Sequence, residues 1–279
     1  MHQIINIALF LFVSFNNQFY CNQTVKKEQT VTNNVVAVHT YPIKNKTKKV
    51  QMNKINDIPV PDGYERIKSV DLSFGWYLRN LSLNTVDNTV YSYDGSVIMG
   101  EYGYQYAVIN MDIGKRDLQQ CADAVMRLRA EYLYHQKKYT EIHFNFLSDG
   151  KPRYYTSYAK GNRTYPKFRK YMDYIFAYAN TGSLKNELKK VNNPTDIQIG
   201  DVFIQTGQPF GHAVIVVDVA KEKRTGEKIF MLAQSFMPAQ SIHIIKNDDK
   251  KLSPWYSAKF GESLDLPSWT FFPDDLRRF

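Results

Sequence analysis

Two side chains in this sequence have the chemistry of a nucleophile and its base. Cys121 is the one cysteine beyond position 21, and His212 comes directly before the apolar run 213–217. Such a run predicts a β-strand buried on both faces, and that pattern does not account for a titratable ring at its start. A thiol beside an imidazole supplies the attacking group and the proton acceptor of covalent hydrolysis. The pair therefore predicts thiol-dependent bond cleavage.

The position of Cys121 has two interpretations. Asp117 and Gln120 predict a capping box for a helix over 118–137, which places Cys121 at the end of its first turn. The helix dipole and the unpaired amides there favour a thiolate. However, an apolar stripe at helical spacing also includes the cysteine, which favours simple packing. Its members are Cys121, Ala124, Val125, Leu128 and Tyr132.

Gln234 is the predicted third member of the site. Asp218 shares a side of the strand with His212, but six residues of strand separate them by about 20 Å. The hairpin loop at 221–226 instead brings the end of the next strand beside His212. The amide oxygen of Gln234 can accept a hydrogen bond from the imidazole there. For the oxyanion of the reaction we expect the main-chain amide of Cys121 and the side chain of Gln119.

No cofactor or metal is implied by the remaining chemistry. Residues 57–279 contain a single cysteine, and the histidines show no paired spacing on a helix. His143 and His243 lie inside strand-like segments, and His135 lies on the polar end of the predicted helix. The sequence therefore predicts a site without a metal.

The elements that must position these residues indicate an α+β domain over 57–279. Strands are predicted at 89–93, 104–113 and 142–146, and helices at 118–137, 165–179 and 183–190. Four strands then follow without further helices, at 202–205, 213–219, 229–234 and 241–245. Helices followed by an antiparallel sheet are typical of the α+β class.

The first 56 residues indicate export and a tether. An apolar run at 4–15 predicts a signal peptide over 1–21, and Cys21 resembles a lipoprotein anchor site. The predicted linker 22–56 contains seven lysines and one acid, so it carries +6 of the net charge of +9. This charge lies on a tether, which argues against a nucleic-acid partner and allows a membrane contact through the lipid.

Two resemblances follow from these residues. The segments that carry the first are Gly200-Asp201-Val202-Phe203 and Gly211-His212-Ala213-Val214-Ile215-Val216-Val217-Asp218. They resemble the catalytic-histidine segment of NlpC-type peptidases and CHAP amidases. This resemblance implies a papain-like α+β fold with N-terminal helices packed on a C-terminal antiparallel sheet, Cys121 as nucleophile and His212 as base. The chain from 57 to 279, including 117–123 and 232–235, also resembles a family of bacterial secreted proteins of unknown function.

The expected function is that of an exported thiol-dependent amidase or endopeptidase acting on cell-envelope peptides, with a cell-wall peptide or glycopeptide as partner. The alternative is a non-catalytic envelope-binding or assembly lipoprotein. A third hypothesis, a glycan-binding groove, rests on the fifteen of twenty tyrosines that lie between Tyr91 and Tyr178. The sequence leaves the bond cleaved and the oligomeric state open.

Overall fold

The computed structural model describes residues 51–279. The predicted signal peptide at 1–21, the predicted lipidation site Cys21 and the predicted linker up to residue 50 lie outside the described residues. Within 51–279, no helix has the length and apolar character needed to cross a membrane.

The described chain contains fifteen strands, most of them two to four residues long, and five helices. The strands are β1 (Tyr64–Arg66), β2 (Val90–Tyr91), β3 (Val97–Met99), β4 (Gln105–Val108), β5 (His143–Asn145), β6 (Pro152–Tyr154), β7 (Lys189–Lys190), β8 (Val202–Gln205), β9 (His212–Glu222), β10 (Lys228–Gln234), β11 (His243–Ile245), β12 (Trp255–Ser257), β13 (Leu264–Leu266), β14 (Trp269–Phe271) and β15 (Leu276–Arg278). The helices are α1 (Phe74–Arg79), α2 (Cys121–His135), α3 (Tyr155–Ala159), α4 (Tyr165–Phe176) and α5 (Thr181–Glu187). Three 3₁₀ turns occupy Ile55–Asp57, Pro194–Asp196 and Pro273–Asp275.

A nine-stranded antiparallel sheet organises the fold. Its main path runs β4-β11-β10-β9-β8-β15-β7, with β1 paired to β9 and β12 paired to β10. The long strands β9 and β10 form the central hairpin, as the turn signal at 221–226 predicts. This hairpin places His212, at the start of β9, near Gln234, at the end of β10.

The central strand β9 is buried on both faces, and each face belongs to a different core. Ala213 and Ile215 pack with residues of α2, such as Val125, and we call this side of the sheet the first face. Val214 and Val216 pack on the second face, with the aromatic residues of β8 and β14. Successive side chains of a strand alternate between faces, so the continuous apolar run is explained by the two cores.

The papain-like arrangement is wrong. The class is α+β, but an extended antiparallel sheet dominates it, and most helices have only one or two turns. The sheet is also not confined to the C-terminal half, because β1 and β4 come from the N-terminal half and pair with β9 and β11. Strands of three or four residues leave no clear alternation in a sequence, which is why their place in the sheet was not foreseen.

Two predicted boundaries also differ from the structure. Helix α2 begins at Cys121, with Gln120 as its N-cap, because the main-chain N–H of Gln120 donates to the carboxylate of Asp123 at 3.1 Å. The fold begins before Asp57, since Ile55 is fully buried in the first core. The segment 51–56 therefore belongs to the domain and not to the linker.

Candidate functional site

A cleft of about 350 Å³ opens at the N-terminal end of α2. One wall is the start of α2, including Cys121 and Asp123, and another is the start of α5 with its N-cap Asn180. The loop that joins β8 to β9, residues 207–211, closes a third side. Cys121 on α2 therefore borders a space large enough for a small peptide group.

The sulfur of Cys121, one of the residues that line this cleft, lies against main-chain groups. Its thiol donates to the carbonyl oxygen of Gly211 at a distance of 3.9 Å. The main-chain N–H groups of Ala122, Ala213 and Cys121 itself lie close enough to lower the pKa of the thiol. This set of donors would stabilise negative charge on the sulfur.

Burial nevertheless keeps the Cys121 thiol protonated. The side chain is 7% exposed. Burial, with a smaller contribution from nearby Asp123, raises the pKa of the thiol to about 11 despite the main-chain N–H groups. At neutral pH the resting cysteine is therefore a thiol, which contradicts an already activated nucleophile at the start of the helix.

Asp123 adds a buried carboxyl group to the cleft wall. One of its oxygens, Oδ2, accepts the N-cap amide of Gln120. The other, Oδ1, has no hydrogen-bond partner within the described residues. Burial raises the pKa of this carboxyl well above its usual range, so the protonated form is favoured. Sequence reasoning missed this group, although its place at the third position of α2 is typical of a capping residue.

His212 begins β9 in a closed aromatic environment. The residue is 1% exposed, and its ring centroid lies 4.7 Å from Phe236 and 5.2 Å from Trp269. Burial lowers the pKa of the imidazole to about 4, with a hydrogen bond to Gln234 acting in the opposite direction. The ring is therefore neutral at pH 7 and able to accept a proton.

Gln234 makes the contact expected from the hairpin. Its Oε1 lies 2.9 Å from Nε2 of His212 in the buried interior. The amide nitrogen of Gln234 lies 3.3 Å from Nε2 of His243 and 3.2 Å from the hydroxyl of Ser268. The side chain therefore bridges two imidazoles. His243 was not among the predicted site residues, although it stands directly opposite Gln234 in the β10–β11 pair.

Within the described residues, no hydrogen bond joins Cys121 to the ring of His212. The alternation of β9 puts this ring on the second face with Val214, near Phe271 at 5.9 Å. Helix α2 packs on the first face. The sulfur thus reaches the main chain on both sides of His212, at Gly211 and Ala213, and not the imidazole. The two residues share one end of β9 but approach it from different faces.

Gln119 lies outside the cleft lining, contrary to its expected oxyanion role. Its Oε1 accepts from Nη1 of Arg127 at 2.9 Å, and its main-chain oxygen accepts from the hydroxyl of Ser235. Its Nε2 is buried without a partner in the described part of the chain. Arg127 is itself buried and forms a salt bridge with Glu131 at 2.6 Å, so these two charged side chains pair in the interior of the protein.

Among residues 51–279, no three His, Cys, Asp or Glu side chains are placed to hold a metal ion. Many of the tyrosines pack against other aromatic rings between α2, α3 and α4, as in the Tyr134–Phe168 stack at 4.4 Å. Tyr155 and Tyr171 belong to the buried core, which accounts for part of the tyrosine density without a glycan.

The comparisons with known proteins identify a family but no activity. The model of the family described as Domain of unknown function (4846) matches residues 55–166 and 162–278. These two segments cover most of the chain, which therefore belongs to this family. No curated protein and no solved structure matches the chain. The resemblance to a family of unknown function is confirmed, whereas no match to NlpC-type peptidases or CHAP amidases was found.

Proposed function

We propose that this member of a family of unknown function is an exported thiol-dependent amide hydrolase, with Cys121 as nucleophile and His212 as base. The observation that carries the proposal is the position of the Cys121 sulfur. Cys121 lines the cleft, and its sulfur lies close to the main-chain N–H groups of Cys121, Ala122 and Ala213. Such donors stabilise a thiolate, or the oxyanion that forms when a carbonyl is attacked beside it.

The reaction follows from the chemistry of these groups. The sulfur of Cys121 bonds to the carbonyl carbon of the amide, and the thiol proton passes to Nδ1 of His212. The resulting imidazolium returns this proton to the leaving amine as the carbon–nitrogen bond breaks. Water then attacks the thioester, gives one proton to His212, and releases the carboxylic acid while the sulfur regains a proton. No redox partner is needed.

The proton transfer needs an approach of the two side chains. In the present state both groups are neutral, because burial raises the pKa of the thiol to about 11 and lowers that of the imidazole to about 4. A neutral thiol and a neutral imidazole are the starting state of general-base catalysis. The transfer therefore requires a rearrangement at the start of β9 that brings the ring of His212 to the sulfur of Cys121.

The substrate class is a peptide of the cell envelope. This part of the proposal rests on the export signal expected at 1–21 and on the polar cleft wall. Asp117 and Asn180 line the cleft, whereas none of its lining residues is a lysine or an arginine. The carboxylate of Asp117, with no cationic side chain in the lining, suits the main-chain N–H groups and free amines of a peptide better than a phosphate or nucleic acid.

The test is hydrolysis of purified peptidoglycan peptides by the isolated protein. We expect new amino and carboxyl termini by mass spectrometry, and a loss of at least about 10³-fold in the Cys121→Ala variant. Lys190→Ala, a change at a half-exposed ion pair with Asp274, is the matched control and should keep the full rate. Equal product with Cys121→Ala, or none with the unchanged protein across peptide classes, would refute the proposal.

The second candidate is a non-catalytic binding protein that uses the same cleft. It is favoured by two observations, the absence of a hydrogen bond between Cys121 and His212 and a thiol pKa of about 11. A binding protein should retain envelope peptides equally well with Cys121→Ala and leave them uncut. Equilibrium binding and mass spectrometry on the same samples separate the two functions.

A further inference from the structure

We infer that His243 is a positioning residue that sets, through Gln234, which nitrogen of His212 carries the ring proton. His243 lies on β11, directly opposite Gln234 on β10. It is fully buried, and the cleft lining does not include it. A role of this effect in catalysis rests on the proposed function, but the choice of the protonated nitrogen in His212 does not.

The position of the ring hydrogens follows first from a main-chain carbonyl beside His243. Nδ1 of His243 lies 2.9 Å from the carbonyl oxygen of Ser241. A carbonyl can only accept, so this nitrogen must carry the hydrogen. Complete burial also keeps the ring of His243 neutral at pH 7, because it lowers the pKa to about 4. A neutral imidazole has one N–H, so Nε2 of His243 is a bare acceptor.

The bare nitrogen then orients the amide of Gln234. The facing atom of Gln234 lies 3.3 Å from it and must donate, so it is the NH₂ group. The amide oxygen is thereby turned toward His212 and lies 2.9 Å from its Nε2. This oxygen can only accept, so Nε2 of His212 carries the hydrogen. Nδ1 of His212 is left with its lone pair, the form that a general base requires.

The other neighbours of these hydrogen-bonded side chains do not fix the orientation of the Gln234 amide group. The hydroxyl of Ser268 lies 3.2 Å from the nitrogen and 3.3 Å from the oxygen of Gln234, and a hydroxyl can donate or accept. Tyr104 packs at 5.9 Å from the ring of His243 and restrains its position. Without an acceptor at position 243, the amide can flip, present NH₂ to Nε2 of His212 and move the proton of His212 to Nδ1.

Ring nitrogen NMR of the folded protein tests the inference. We expect His212 with its hydrogen on Nε2 and His243 with its hydrogen on Nδ1. His243→Phe keeps a ring beside Tyr104 but removes the acceptor, so His212 should shift toward the form protonated on Nδ1. His243→Gln restores an acceptor oxygen and should restore the original form. His143→Phe, at a half-exposed histidine on β5, is the matched control and should leave His212 unchanged.

A hydrogen on Nδ1 of His212 in the unchanged protein would overturn the inference, whether or not the variants fold. The inference would also be overturned if a folded His243→Phe protein kept the tautomer of His212 unaltered.

Alkylation of Cys121 in these variants separates the inference from the proposed function. If the tautomer shifts and the alkylation rate at pH 7 falls about 10-fold, both stand. If the tautomer shifts and the rate does not change, the positioning role stands and the proposed base does not.

Discussion

At the scale of the residue, the two buried imidazoles link stability to pH. Burial lowers the pKa of His212 and of His243 to about 4, against an unfolded value of 6.5. Between these pH values the unfolded chain binds more protons than the folded protein. The contribution of the two histidines to the free energy of unfolding is therefore fully present above about pH 6.5 and is lost as the pH falls toward 4. For one histidine this amounts to about 2 kcal/mol between pH 7 and pH 5.

The measurement is the free energy of unfolding in urea at both pH values. Glu187 acts with the opposite sign, because burial raises its pKa to about 7 and the folded state then binds the extra proton. Because Glu187 is present in both proteins, its contribution cancels when the unchanged protein is compared with His243→Phe. The variant should lose less stability on acidification, by about 2 kcal/mol. An equal loss in both proteins would show that His243 is not a buried neutral group.

Gln234 offers a second prediction at this scale. Gln234→Leu keeps the bulk of the side chain but leaves the Nε2–H of His212 and the bare Nε2 of His243 without partners. Unpaired buried polar groups cost about 1–3 kcal/mol each, so we expect a loss of at least that size in unfolding free energy. Turnover should also fall about 10- to 100-fold, because the base loses its orientation. A change of less than 0.5 kcal/mol, about the scatter of neutral surface substitutions, would contradict the network.

How far the sequence predicts the site depends on the range of the interactions. The contact between Gln234 and His212 follows from a single hairpin, whose turn and register can be read locally. The relation of Cys121 to His212 depends on which face of the sheet receives α2, and this is decided by packing against distant residues. The role of His243 depends on a third strand pairing at a position that no turn signal specifies.

At the scale of the element, a buried ion cluster attaches β1 and α1 to the central strand. Asp218 of β9 is fully buried and pairs with Arg79 at 2.5 Å and with Arg66 at 2.7 Å. Asp218→Asn leaves two guanidinium groups without their countercharge, and breaking a buried pair of this kind costs about 3–5 kcal/mol. Sequence reasoning excluded Asp218 from the site by its distance from His212, and the structure gives it this separate role.

Chemical denaturation measures this cost. Asp274→Asn is the matched control, because Asp274 pairs with Lys190 at the surface, with a side chain 81% exposed. Exposed pairs contribute little, so the control should change stability by less than about 1 kcal/mol. A similar small change with Asp218→Asn would show that the cluster does not hold β1 and α1 to the sheet.

At the scale of the whole molecule, the start of the domain is testable by truncation. A protein beginning at Gln51 should unfold cooperatively at the temperature of the full chain. One beginning at Asp57 loses Ile55, which is fully buried, and the pairing of Lys54 with Ser82. Removal of a buried isoleucine costs about 2–5 kcal/mol. Thermal melts followed by circular dichroism should therefore show a lower transition for the shorter protein, and identical melts would place the boundary at Asp57 after all.

The class of the fold was predictable, whereas its assembly was not. Amphipathic spacing in α2 and α4 and the apolar strands after residue 200 predict helices and an antiparallel sheet correctly. The nine-stranded sheet also recruits β1, from a segment more than 150 residues before its partner at the end of β9. Such pairing depends on long-range contacts that local patterns do not encode. The same limit explains why a local resemblance around His212 implied a papain-like arrangement that the structure does not have.

The pH dependence of Cys121 alkylation by iodoacetamide tests the proposed nucleophile and base most directly. If His212 accepts the thiol proton as the sulfur reacts, the rate should stay nearly constant between about pH 5 and pH 9, above the pKa of the imidazole and below that of the thiol. His212→Ala should lower this plateau at least about 10-fold and leave a rate that rises tenfold per pH unit toward 11. If the unchanged protein already shows that uninterrupted rise, and His212→Ala does not alter it, Cys121 reacts without His212 and the proposed catalytic pair is wrong.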